Sequence, residues 1–451
     1  MHQLNDQADP LAVMALYPAR GIVNGRVRVP GSKSITNRAL LMAALAEGKS
    51  RISNILISAD TLLMLAALQQ LGIALTWLSN EELYVEGARG NLQLHEHLCV
   101  EVGNAGTVAR FLLPLISLAL GRGSALVQGC ARMAERPMGE LPAALRWMGA
   151  RVDSLSSRGE GLPLRVWAGS GLSGGALSIN AGSSSQLVSS LLLSGAYGRE
   201  DLVLGLEGRV VSASYIALTR QMMADFGVTS SGTSQLLRIA KGQRYQARHY
   251  TIAGDASSAS YFFALAAITA GTVLVEGLSP RSEQGDLGFL DLLLVMGCRV
   301  DWEEEGVRVV GSGKLRGITA EMRTMSDVAL TLAVVALFAE GTTKIREVGH
   351  LRFKECDRLA AFAREVTKLG AQVRVVDDGL EIEGGKPLHG ARLGTYDDHR
   401  MAMALSLISV RVGGISIENP ACVGKTYPGF FADFFAVSGV RGSLSSGGNL
   451  P

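Results

Sequence analysis

The sequence predicts an α/β protein made of six copies of one strand–helix–strand–helix–strand–strand unit, three copies in each half of the chain. Three observations carry this. Apolar helix-like runs end at a glycine and enter a β-branched run at Gly48, Gly123, Gly198, Gly271, Gly341 and Gly414, spaced 70–75 residues apart. A second helix–glycine–strand series, at Gly72, Gly149, Gly227, Gly297, Gly370 and more weakly Gly439, trails the first by 24–29 residues. The period is also longer than that of solenoid repeats, which reach about 50 residues, so the copies pack within one or two globular domains. Glycine suits the end of a helix because the backbone there turns left-handed, at a cost to any residue with a Cβ.

The bulk numbers agree with a globular protein. A chain of 451 residues fits two or three domains. Hydrophobic residues are 47% of the chain and charged residues 19%, which excludes a disordered or nucleic-acid-coating protein. The net charge of +2 gives no general attraction to nucleic acid or membrane, so any basic cluster acts locally. Five scattered cysteines without a Cys-x-x-Cys pair indicate neither a disulfide framework nor a zinc site. The N-terminus, with Asp6 and Asp9, shows no signal pattern. The longest apolar stretches, residues 111–120 and 328–339, are too short for a bilayer. A cytoplasmic protein without metal is the expectation.

Taken in order, the first unit opens on the alternating run 25–29. Pro30-Gly31-Ser32-Lys33-Ser34 then leads into an apolar helix containing Arg38. Unpaired N–H groups and the helix dipole make this end an anion site. It is not a phosphate loop, because Ser32 separates Gly31 from Lys33. The second unit's helix opens on Asn104, Gly106 and Thr107, another exposed helix start. After its next strand, Arg132 lies on a loop that Glu135 and Arg136 hold. The third unit offers Ser183, Ser184, Ser185 and Gln186 at a helix start, more hydroxyls than an N-cap needs.

The halves divide near Ala253-Gly254, and residues 254–261 read as a small-residue helix start without a direct chemical role. In the fifth unit Asp327 stands at a helix N-terminus, placed to accept a proton. Lys354 and Arg358 are four apart on one helical face, with Glu355 beside them. The sixth unit contributes Asp398-His399-Arg400 at a helix start and Lys425-Thr426 after a strand. The Gly/Ser-rich tail from residue 442 is expected to be disordered. Cations thus recur at corresponding edges, with Asp327 and Glu355 as the main carboxylates among them. That combination suits a small phosphorylated, carboxylated substrate handled by acid/base chemistry, in a cleft between two similar lobes.

From about residue 25 to 435 these motifs, in this order, resemble the 5-enolpyruvylshikimate-3-phosphate synthase family of enolpyruvyl transferases. The resemblance rests on Gly31-Ser32-Lys33-Ser34 with Asn37-Arg38, Gly103-Asn104-Ala105-Gly106-Thr107, Arg132 with Glu135-Arg136-Pro137-Met138, and Ser184-Ser185-Gln186. It rests further on Gly254-Asp255-Ala256-Ser257-Ser258, Lys354-Glu355 with Asp357-Arg358, Asp398-His399-Arg400-Met401-Ala402 and Lys425-Thr426. It implies two lobes of three βαβαββ units each, an inside-out α/β barrel arrangement, closing on the substrates. The N-terminal lobe would be residues 32–253. The C-terminal lobe would be residues 254–451 completed by residues 1–31.

The implied reaction joins phosphoenolpyruvate to the 5-hydroxyl of shikimate 3-phosphate through a tetrahedral intermediate and releases phosphate, without a cofactor, in a monomer. The implied shikimate 3-phosphate contacts are Ser34, Arg38, Ser184, Ser185, Ser212, Tyr215, Asp327, His350 and Lys354. The implied phosphoenolpyruvate contacts are Asn104, Gly106, Arg132, Arg358, Arg400 and Lys425, and Lys33 and Gln186 touch both ligands. Asp327 would take the 5-hydroxyl proton. Glu355, with Lys33 or Lys425, would protonate the phosphoenolpyruvate methylene.

Three positions depart from the family pattern: His350 replaces the usual Asn, Phe111 follows Arg110 where Pro is usual, and Cys130 precedes Arg132. Cys130 raises one rival, the sister UDP-N-acetylglucosamine enolpyruvyl transferases, which use a loop cysteine. That sister family lacks the Lys354–Arg358 and Ser184–Gln186 patterns. A non-catalytic phospho-ligand-binding protein is a second rival, and it would have no need of Asp327 and Glu355.

Overall fold

The computed structural model describes residues 9, 11–18, 22–138, 140–157, 159, 161–169, 171–182 and 184–445. Asp6, Ser183 and the tail beyond residue 445 lie outside them. The chain folds into two compact units, one of Gly31–Ala253 and one of Met1–Pro30 with Gly254–Pro451.

Among the described residues each unit carries three four-stranded sheets, and these six sheets share one plan. The first and second strands of a repeat pair in parallel, and the fourth lies between the second and the third. In the second repeat, for example, His97–Glu101 runs parallel to Ser124–Gln128, and Leu164–Trp167 pairs antiparallel with both Ser124–Gln128 and Val152–Ser154. A parallel pair needs a long crossover, which the apolar helix supplies in the second, third, fifth and sixth repeats.

The apolar helices of the repeats form the interior. In the Gly31–Ala253 unit, helices Lys33–Leu45, Gly106–Ser117 and Ser185–Gly195 pack on one another. Helix Gly106–Ser117 is buried at every position, as its unbroken apolar run requires. In the other unit, Ala329–Leu337 touches both Ala256–Thr269 and His399–Ser406. Each unit therefore owns a separate apolar core.

Three strands are supplied from far along the chain. The first repeat takes its first strand from His249–Thr251, parallel to Glu47–Ser53. The fourth takes Asn24–Arg28, parallel to Thr272–Glu276. The sixth takes Val13–Tyr17, which sits between Ile415–Glu418 and Arg441–Ser445. Arg441–Ser445 is thus an ordered strand, a correction to the expected disordered tail.

The second glycine series holds throughout. Gly72, Gly149, Gly227, Gly297, Gly370 and Gly439 all have φ between 70° and 113°. The first series holds less strictly. In the fourth repeat the left-handed residue is Ala270, φ 54°. Gly271 is needed there for another reason, since a Cβ would lie 2.2 Å from the Val23 carbonyl oxygen. Gly198 has no positive φ, and in the second repeat Gly121, not Gly123, makes the turn. Among the described residues no helix is long and apolar enough to cross a membrane.

Candidate active site

In the Gly31–Ala253 unit, four helix starts are tied together by side chains. Helix Lys33–Leu45 begins after Ser32, whose extended backbone turns the chain into the helix. Lys33 Nζ lies 3.0 Å from Asp60 Oδ2. Arg38 points inward and is 1% exposed. Its Nε donates to Thr219 Oγ1 (2.8 Å), and the terminal nitrogens donate to the Ser34 carbonyl (3.0 Å), Ser189 Oγ (3.3 Å) and the Tyr215 carbonyl (3.4 Å). Burial lowers its pKa to about 10, so the guanidinium is charged at neutral pH. Phe111 places its ring 5.1 Å from that guanidinium carbon. The Phe in place of Pro leaves helix Gly106–Ser117 intact and gives Arg38 a π-face, a favourable contact where water is excluded.

Gly106 lies under two further arginines. Arg110 donates to the Gly106 carbonyl (3.1 Å), Gln186 Oε1 (2.8 Å) and the Pro137 carbonyl (2.8 Å). Arg136 donates to the Asn104 carbonyl (2.9 Å) and Asn104 Oδ1 (3.1 Å). A Cβ on Gly106 would lie 2.6 Å from a nitrogen of each. Gln186 completes the link by donating to Thr107 Oγ1 at 3.1 Å. Ser184 caps helix Ser185–Gly195, and Ser212, φ 50°, precedes helix Ala213–Asp225, which carries Tyr215. Arg132 pairs with Glu135 at 3.0 Å on the short helix Ala131–Glu135. This segment was expected to be a loop, and Cys130 stands exposed at its start.

The other unit gathers a second constellation. Asp327, in the 3-10 turn Ser326–Val328, has Oδ2 at 2.8 Å from Arg400 and Oδ1 at 3.6 Å from Arg358. Arg358 is 2% exposed and also pairs with Glu355 (2.8 Å) and Asp398 (2.7 Å). Burial works against its charge, but Asp398 and Glu355 outweigh that and raise its pKa. Lys425 Nζ lies 3.3 Å from Glu355 Oε1. Asp398 is fully buried, caps helix His399–Ser406 through the Arg400 N–H, and accepts from the Cys356 thiol at 3.5 Å. His350 Nε2 is 2.9 Å from Ser326 Oγ. Burial, with Lys354 nearby, lowers the His350 pKa to about 3, so the ring is neutral at physiological pH.

Each predicted site residue lies within one unit or the other, with two local corrections to its setting, and Ser183 lies outside the described residues. Lys354 does not share a helix with Arg358. That helix is Arg358–Thr367, capped by Asp357, and Lys354 follows the 3-10 turn Gly349–Phe353 with extended backbone. Ser257, read as part of a chemically idle helix start, has its Oγ 3.4 Å from Arg400. Sequence reasoning also passed over Asp398 as a site residue, although an Asp just before a helix is a legible cap. Its pairing with Arg358, forty residues back, is a tertiary fact. Among the described residues no group of His, Cys, Asp and Glu could hold a metal ion.

The family described as EPSP synthase (3-phosphoshikimate 1-carboxyvinyltransferase) matches residues 19–434. The 3-phosphoshikimate 1-carboxyvinyltransferase of Trichormus variabilis is 41% identical over 433 residues, covering 96% of this chain and 100% of that protein. The Nostoc punctiforme protein of the same name is 43% identical over 415 residues, 92% of this chain and 96% of its own. A solved EPSP synthase from Acinetobacter baumannii superposes with a TM-score of 0.81 at 24% identity, covering 96% of this chain and all of that one. At that identity the likeness speaks for the fold.

Proposed function

We propose how the site works from one premise: this chain belongs to the EPSP synthase (3-phosphoshikimate 1-carboxyvinyltransferase) family. The protein transfers the enolpyruvyl group of phosphoenolpyruvate to the 5-hydroxyl of shikimate 3-phosphate and releases phosphate. In the addition step the hydroxyl oxygen bonds to C2 of phosphoenolpyruvate, the methylene takes a proton and the hydroxyl loses one. Elimination of phosphate and a methyl proton then restores the double bond.

On our reading, Asp327 takes the hydroxyl proton. Arg400 and Arg358 orient its carboxylate. Glu355 supplies the methylene proton, in concert with Lys425 or Lys33. Lys425, 3.3 Å away, can hand its ammonium proton to Glu355 as Glu355 gives one to the methylene, while Arg358 holds the carboxyl in place. Arg358, Arg400, Lys425, Arg132 and the Asn104–Gly106 turn receive the carboxylate and phosphate of phosphoenolpyruvate. Guanidinium groups fixed in advance by buried carboxylates stabilise developing charge without reorganising.

Ser34, Ser184, Ser185, Ser212, Tyr215, Lys354 and His350 receive shikimate 3-phosphate. Arg38 contributes its charge from behind Ser34 and Tyr215. Lys33 and Gln186 touch both ligands. His350, being neutral, serves as a hydrogen-bonding group and not as a cation. The two constellations stand on different units. We take the working form to be a cytoplasmic monomer.

The observation that carries the assignment is the Asp327–Arg400–Arg358–Glu355–Lys425 cluster, where two carboxylates are clasped by three cations. Simple anion capture would not use the carboxylates. Purified protein given phosphoenolpyruvate and shikimate 3-phosphate should release inorganic phosphate. No release above background would overturn the assignment. Sedimentation equilibrium tests the monomer.

A further inference from the structure

Behind the proposed base lies a second buried carboxylate that the mechanism above leaves unused. Asp286 sits in the 3-10 turn Gly285–Gly288 and is 4% exposed. Its Oδ2 is hydrogen-bonded to Ser257 Oγ, on the first turn of helix Ala256–Thr269. The same Oγ lies 3.4 Å from the Arg400 terminal nitrogen, which is itself 2.8 Å from Asp327 Oδ2. The turn is clamped in place by Gln284, whose amide nitrogen donates to the Gly254 carbonyl (2.8 Å) while its oxygen accepts from the Ala256 N–H (3.1 Å). Asp286 thus reaches Arg400 through one serine hydroxyl, and it does so on a rigid mount.

A hydroxyl has one proton. When Asp286 is ionised, Ser257 must donate to it, and the serine lone pairs then face Arg400, which donates to them. When Asp286 holds a proton, its own O–H can donate to Ser257. The serine proton is then released from that duty, and the lone pairs no longer have to face Arg400. Only O–H bonds and hydrogen bonds change between the two states. We infer that Asp286 is a positioning residue: through Ser257 it sets the orientation of Arg400, and thereby the fit of Arg400 to Asp327 and to phosphoenolpyruvate.

The charges around Asp286 make this a titrating device near neutral pH. Burial is the largest influence, and the neighbouring Asp327 adds to it. Arg400 and the Ser257 hydrogen bond oppose them, Asp255 at the start of helix Ala256–Thr269 raises the pKa a little further, and the result is about 7. Ionised Asp286 is therefore the form that gains as pH rises through that region. The inference rests on the proposed roles of Arg400 and Asp327.

The test uses the full-length enzyme with Asp286→Asn, Ser257→Ala and the double variant. KM for each substrate and kcat are measured from pH 5.5 to 9. Asp286→Asn and Ser257→Ala should each raise KM for phosphoenolpyruvate by about ten-fold, the factor expected from weakening one buried charge-assisted hydrogen bond. KM for shikimate 3-phosphate should change far less. The double variant should be no worse than either single one, because both break the same chain. The limb of the kcat/KM profile near pH 7 should vanish in Asp286→Asn and reappear in Asp286→Glu.

An unchanged KM for phosphoenolpyruvate, additive effects in the double variant, or an unmoved pH limb would each overturn the inference. If Asp286→Asn does not fold, the Ser257→Ala result decides on KM alone. Arg400→Lys separates this inference from its premise. If Arg400→Lys leaves phosphoenolpyruvate binding intact, the proposed role of Arg400 fails. If it weakens binding while Ser257→Ala does not, only the Asp286 inference fails.

Discussion

Replacing Asp398 tests the buried charge cluster most directly. Its side chain has no solvent exposure and faces Arg358, which is 2% exposed. It accepts from Arg358 Nε at 2.7 Å and from a terminal nitrogen at 3.2 Å, and its Oδ1 caps a helix through the Arg400 N–H at 2.9 Å. Asp398→Asn keeps an oxygen for the cap, but it removes the charge and turns an N–H toward the guanidinium. Breaking one side of a buried pair costs about 3–5 kcal/mol, and the lower end applies because Glu355 still faces Arg358. Asp398→Ala also removes the cap, for about 1 kcal/mol more.

The expected losses are therefore about 3 kcal/mol for Asn and about 4 kcal/mol for Ala. A loss of 3 kcal/mol lowers Tm by roughly 6–12 °C in a domain of this size. Scanning calorimetry and urea unfolding followed by circular dichroism would measure both. Activity should fall in both variants, since Arg358 loses its anchor. An Asn variant within about 1 kcal/mol of the parent would refute the buried-pair argument. An Ala variant as stable as the Asn variant would refute the cap.

Three other changes have definite outcomes. Lys33→Met should abolish phosphate release while leaving the circular dichroism spectrum unchanged, and retained turnover would remove Lys33 from the chemistry. Gly106→Ala should raise KM for phosphoenolpyruvate by about ten-fold or more, a shift of about 1.4 kcal/mol, because its Cβ would collide with two guanidinium groups pinned by other hydrogen bonds. Unaltered steady-state kinetics would show that those arginines can yield. His350 should make stability fall on acidification. Its folded pKa is about 3 and its unfolded value about 6.5, so between those limits the unfolded state holds the extra proton. The loss is about 1.4 kcal/mol per pH unit, and His350→Asn should remove it from unfolding free energies measured between pH 6 and 4. An unchanged slope would contradict the buried neutral ring.

Much of this was readable from residue order alone, for identifiable reasons. The repeat was visible because a helix that must turn back left-handed selects glycine, and the second series obeys that rule at all six positions. The helix-start motifs were visible because cap chemistry is local. What stayed hidden was non-local. Nothing near Asp286 in the chain announces that its carboxylate meets Ser257. Ala270 adopts a left-handed backbone where glycine would be guessed, because tertiary packing overrides local preference. The spacing from Arg358 places Lys354 on a helix, but that helix is capped at Asp357 and begins only at Arg358.

The placement of Val13–Tyr17 has a consequence for the newborn chain. This strand leaves the ribosome well before both of its partners, Ile415–Glu418 and Arg441–Ser445, which lie about 400 residues further along the chain. At roughly 5–20 residues per second it waits about 20–80 s with both edges unpaired. Meanwhile Gly31–Ala253 contains all three of its own sheets and can fold as soon as His249–Thr251 emerges. Synthesis of this protein thus has a built-in order, in which the inserted unit matures first while an orphan strand trails from it, open to holdase chaperones and to pairing with a neighbouring nascent chain.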